Sequence, residues 1–66
     1  MESLGEALPK EQARVREILG HYKEIGPAGN FGVIMIEQSL RKADQAVVSG
    51  DVIAMIKVFK ELNEIQ

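Results

Sequence analysis

Apolar residues recur at spacings of three and four along most of this chain, and nowhere do they alternate with period two. Val15, Ile18, Tyr22 and Ile25 share one stripe, with Leu19 on its flank and Arg14, Glu17, His21 and Glu24 opposite. That spacing predicts an amphipathic helix over about 9–25. Pro9 suits its first turn, where a missing N–H removes no helical bond, and Glu11 suits the positive end of the dipole. Gly26 then offers a left-handed cap, and Pro27 cannot prolong the helix.

A second helix is expected over about 30–48, with Asn30 as N-cap and Val33, Ile36, Leu40, Ala43 and Val47 as its seam. Phe31, Ile34 and Met35 add a second apolar face near its start, so that end must be covered on several sides. Glu37 stands four residues before Arg41, the spacing of a supporting ion pair. Gly50 ends this helix and Asp51 caps a third, over about 51–64, in which Val52, Met55, Ile56, Phe59 and Leu62 share a face and Ile53 sits to the side. So short a connection predicts an antiparallel helical hairpin. Residues 1–8 hold no sustained period and contain Gly5, which predicts a flexible N-terminal arm before a single helical domain over 9–66. The expected fold class is all-α, a small three-helix domain.

Composition adds a constraint on assembly. The chain has 66 residues, 45% hydrophobic but only 5% aromatic, and three short helices offer few places to shelter that many apolar side chains. Cysteine is absent, so no disulfide supplements the core, and one histidine with no thiol excludes the usual zinc, copper and iron ligand sets. Self-association is the supplement that remains. A homo-oligomer is therefore expected, with Phe31, Ile34, Met35, Met55 and Phe59 at its interface and a dimer as the commonest symmetry.

Charge narrows the partners. Eight basic residues against ten acidic give a net charge of -2, without the basic excess that duplex nucleic acid demands. No apolar run approaches the ~18 residues of a membrane span. The opening Met1-Glu2-Ser3-Leu4-Gly5-Glu6 is too acidic and polar for a secretory signal, so a cytoplasmic location is expected.

The most distinctive segment is Gly26-Pro27-Ala28-Gly29-Asn30-Phe31-Gly32. Unobstructed backbone N–H groups at a helix start favour an anion, which makes this segment a candidate phosphate or carboxylate cradle with Phe31 or Tyr22 stacking on a base. A Walker loop would need a lysine that is missing here, and a dinucleotide fingerprint would need different glycine spacing after a strand. The competing reading is a joint in which Gly29 and Gly32 let two helices approach closely. His21 lies one turn after Glu17 and reads as half of a surface pair, and none of Ser3, Ser39 and Ser49 sits in a nucleophile elbow. Glu37, Asp44 and Asp51 have pairing or capping roles, so no paired carboxylates stand out for hydrolysis. The residues therefore predict no enzyme, no cofactor and no metal.

Two resemblances bear on context. Leu40 to Phe59, through Ser49-Gly50-Asp51, resembles the turn of a tetratricopeptide helix pair, although one copy cannot build a repeat array and the spacing after Gly50 differs by a residue. It implies a hairpin and no activity. From about Gln12 to Ile65 the chain resembles a family of small uncharacterised proteins of proteobacterial phages and prophages. The residues that carry this are Tyr22-Lys23-Glu24-Ile25-Gly26-Pro27-Ala28-Gly29, Met35-Ile36-Glu37, and Ser49-Gly50-Asp51 with Ala54-Met55-Ile56. That resemblance implies a counter-defence setting in the host cytoplasm, and it transfers no site residues.

The expected function is non-enzymatic binding by a self-associating protein that sequesters a small anionic, nucleotide-like immune signal. Gly29, Asn30, Phe31 and Tyr22 would form the site, with Arg41 or Lys42 from a neighbouring subunit. The alternative is an inhibitor that caps a host defence or regulatory protein through its apolar helical face.

Overall fold

The computed structural model describes residues 2–66, leaving only Met1 of the expected arm outside the described residues. Its elements are α1 (Leu4–Ile25), a short 3₁₀ turn (Pro27–Gly29), α2 (Asn30–Ser49) and α3 (Val52–Asn63), with no strand among the described residues. The fold is all-α and compact, with a Cα radius of gyration of 12.2 Å.

The first helix begins five residues earlier than its periodicity predicts, which corrects the boundary of the flexible arm. Ser3 is the N-cap: its hydroxyl accepts the Glu6 N–H at 3.3 Å and donates to the Glu6 carboxylate at 3.0 Å. This Ser-x-x-Glu spacing is that of a capping box, with the Glu6 carboxylate taking the Ser3 hydroxyl, and it starts a helix before any apolar stripe is established. Pro9 consequently lies inside α1 rather than in its first turn. An interior proline costs about 3 kcal/mol. Leu8 beside it is fully buried and Leu4 packs on the core. Burying one such leucine stabilises by about 1.5–3 kcal/mol, and a cap adds ~1 kcal/mol, so the early start is affordable.

Gly26 ends α1 at φ 85° and ψ −150°, positive in φ but outside the left-handed helical well expected for it. The chain then turns through Pro27–Gly29 directly into α2. Gly29, not Asn30, is the N-cap, because the 3₁₀ turn leads straight into α2 and Asn30 already has helical backbone angles, φ −58° and ψ −39°. Gly50 closes α2 at φ 69° and ψ 21°, and Asp51 caps α3 by accepting the Ala54 N–H at 3.1 Å, as the residues predict.

Eight apolar side chains form the buried core: Leu8 and Val15 from α1, Ile36, Leu40, Ala43 and Ala46 from α2, Val58 and Leu62 from α3. Several positions depart from the predicted faces: Ile25, Val47, Val52 and Ile56 are exposed, whereas Ala46 and Val58, outside the predicted stripes, are buried. Both later helices are apolar on more than one face, so period alone does not choose which face turns inward.

Polar contacts lace the helices at the core's edge. Buried Gln12 donates to Asp44 at 2.8 Å, and Arg16 reaches the same carboxylate at 3.1 and 3.2 Å. Glu37 pairs with Lys23 of α1 at 3.7 Å, a cross-helix partner in place of the predicted Arg41. Ser39 donates to Glu61 at 2.6 Å, and Lys42 joins at 3.3 Å. Arg14, expected on the solvated stripe, instead reaches across to donate to the carbonyls of Leu62 and Ile65, both at 2.9 Å, capping the end of α3. Glu11 grips the same guanidinium through two hydrogen bonds, which raise its pKa above the usual arginine value against a smaller opposing effect of burial.

Candidate functional site

Three surfaces compete for a functional role: the glycine-rich joint, the outward apolar residues of α2 and α3, and a groove between those two helices.

The joint is closely packed. A Cβ on Gly29 would lie 2.4 Å from the carbonyl oxygen of Tyr22, and one on Gly32 would lie 2.4 Å from two carbons of the Tyr22 ring. These glycines therefore bring the start of α2 against the end of α1, the closer of the two readings offered by their spacing. Gly29 is buried and its N–H is already committed to Gly26, while the Tyr22 ring rests on Gly32. Of the other candidate ligand residues, Asn30 and Phe31 are exposed at the helix start, with Phe31 77% exposed. Arg41 and Lys42 sit some three turns further along α2, roughly 16 Å away at the helical rise, and Lys42 is paired with Glu61. One chain does not bring these residues together.

The expected interface residues divide into two groups. Phe31, Ile34 and Met35 stand out from α2 at 77%, 54% and 50% exposure. Met55 and Phe59 are half-buried and pack against the core. Their apolar neighbours Val52, Ile53 and Ile56 remain in solvent at 59%, 68% and 45% exposure. Val48, at the end of α2, is the most exposed large apolar residue among the described residues, at 88%. The sequence places Ile53 only to the side of the α3 face and gives Val48 no role, because an apolar residue off a stripe reads as incidental.

Between α2 and α3 runs an open groove of about 540 Å³, floored by Ala46, Ala54 and Val58 and rimmed by Lys42, Ser49 and Lys57. Its signal in the sequence is small: Ala46 and Ala54 stand four residues to either side of Gly50, so two methyl groups face each other where larger side chains would fill the space. No helix among the described residues is long and apolar enough to cross a membrane. Comparison with protein-family models, curated proteins and solved structures finds no match to this chain.

Proposed function

We propose that this protein is a non-enzymatic helical interaction module that offers the outer face of α3 to a hydrophobic groove on a protein partner and acts by occupying that groove. The observation that carries the reading is the stripe Val52, Met55, Ile56 and Phe59, at positions i, i+3, i+4 and i+7. This is the register in which an amphipathic helix docks into an apolar groove. Met55 and Phe59 anchor one side of the stripe on the core, so the exposed side is presented on a fixed helix. Val52, Ile53 and Ile56 leave on the order of 300 Å² of apolar surface in water, a size at which monomer patches are often functional.

The reading takes α2 and α3 as an antiparallel hairpin, supported by the Gly50–Asp51 connection and by Glu61 meeting Ser39 and Lys42. In the phage setting implied by the sequence resemblance, the partner is a host defence or regulatory protein. Sequestration of a small anionic, nucleotide-like signal has less support, because the Gly29 N–H and the Tyr22 ring, two of its candidate contacts, already have partners within the chain.

The test is capture of host proteins on the full chain beside the Ile56→Asp chain. A stoichiometric partner lost on substitution, with helicity unchanged, supports the reading. A partner retained by Ile56→Asp overturns it. Heat of binding to a cyclic or ADP-ribose-type nucleotide, abolished by Phe31→Asp and untouched by Ile56→Asp, would replace it with ligand capture.

A further inference from the structure

We propose that the outward face of α2 is covered by a second copy of this chain. The two α2 helices would run antiparallel, so that Phe31 and Met35 of each copy lie over the groove floored by Ala46, Ala54 and Val58 of the other.

The exposed side of α2 carries a stripe of Phe31, Met35, Gln38, Lys42, Gln45 and Ser49, all solvent-exposed and separated alternately by four and three residues. That is the 3.5-residue spacing of helices packed along their length, apolar here at its first two positions and polar at the other four. The stripe is symmetric about its middle. Turned end over end against itself, it sets Phe31 opposite Ser49, Met35 opposite Gln45 and Gln38 opposite Lys42. Its two ends are chemically different. Phe31 and Met35 project at one end, two turns and one turn before Ser39, where Glu61 of α3 makes its contact. At the other end, Lys42 and Ser49 rim the groove and Ala46 forms part of its floor. A bulky end and a hollow end on one self-matching stripe are complementary in the antiparallel sense.

Area and charge choose between the arrangements. Phe31, Ile34 and Met35 expose on the order of 400 Å², whereas a stable interface buries about 800 Å² from each partner. Stacking the bulky ends on each other falls short and leaves both grooves empty. Antiparallel packing engages both ends in each copy and draws on the whole stripe. Parallel packing would also set Lys42 against Lys42, whereas the antiparallel register gives it Gln38. The contact is isologous and closes as a dimer. It leaves Val52, Ile53 and Ile56 on α3 outside the stripe, so this proposal stands or falls separately from the partner reading.

The chain has no cysteine, so introduced thiols report the register directly. Within one chain, positions 31 and 49 are about 27 Å apart along α2, too far for a disulfide. The expected result is a cross-linked dimer when the Phe31→Cys and Ser49→Cys chains are mixed and oxidised, with neither chain cross-linking to itself. Sedimentation of the unmodified protein should give twice the 7.3 kDa chain mass, halved by Phe31→Asp with capture of the α3 partner unchanged. Efficient self-linking of Phe31→Cys would overturn the register in favour of bulky end on bulky end. A mixture no more cross-linked than the separate chains, or a monomeric unmodified protein, would overturn the dimer itself.

Discussion

The two connections of this small bundle both depend on glycine, for opposite reasons. Between α1 and α2, Gly29 and Gly32 are needed for space: a side chain on either would enter the backbone or the ring of Tyr22. Between α2 and α3, Gly50 is needed for its left-handed backbone, and a Cβ there would meet nothing within 4 Å. The first connection is tightly packed at its glycines, with the N–H groups of Gly26, Gly29 and Asn30 bonded within the chain. The second is open, surrounded by exposed Val48, Val52 and Ile53. A glycine-rich segment that looks chemically inviting is thus spent on packing, and a plainer turn sits among the surfaces left available to other molecules.

Substitutions at the two connections should separate these roles. The largest effect is expected from Gly29→Val, which forces a side chain onto the Tyr22 carbonyl; overpacking of this kind costs about 3 kcal/mol. For a domain of this size, thermal unfolding should fall by roughly 15 °C. Equal melting of Gly29→Val and the unmodified chain would mean that the helices do not approach as described. Gly50→Ala pays only for a left-handed backbone, about 1–2 kcal/mol, and its melting temperature should drop by ~10 °C or less. Asp51→Ala loses the N-cap of α3 and should cost ~1 kcal/mol by urea midpoint, with the slope unchanged. Smallest of all is Ile53→Ser: stability should stay within about 0.5 kcal/mol, because the residue leans on little. A marked loss of stability in Ile53→Ser would show that this side chain is sheltered and that the open connection is less open than its exposure indicates.

Much of the architecture was legible in the chain. Three-four spacing of apolar residues specifies three helices, Gly50–Asp51 marks the second connection, and Asp51 caps as its side chain predicts. The early start of α1 was also written there, in Ser3 and Glu6, but a single Ser-x-x-Glu signal is easily outweighed by Gly5 and Pro9, both of which disfavour helix. Less could be read about faces. In α3, Val58 and Leu62 make one apolar row while Val52, Ile56 and Phe59 make another, and nothing local distinguishes them. The same holds for Arg14, whose partners lie at the far end of the chain, on Leu62 and Ile65. Within one chain the candidate ligand residues lie in two places, for a related reason. Gly29 and Tyr22 meet because they pack, and Lys42 is held near Glu61.

The sequence by itself determined that this chain makes helices, roughly where each stops, and that its apolar residues outnumber the places available to hide them. Only the tertiary structure decided which of those residues go inside. Helix periodicity is a property of neighbours along the chain, whereas burial depends on which second and third helix arrives at a given face. Once α1 claimed one side of α2 and α3 another, Ala46 and Val58 were enclosed and Phe31 and Ile53 were left in water.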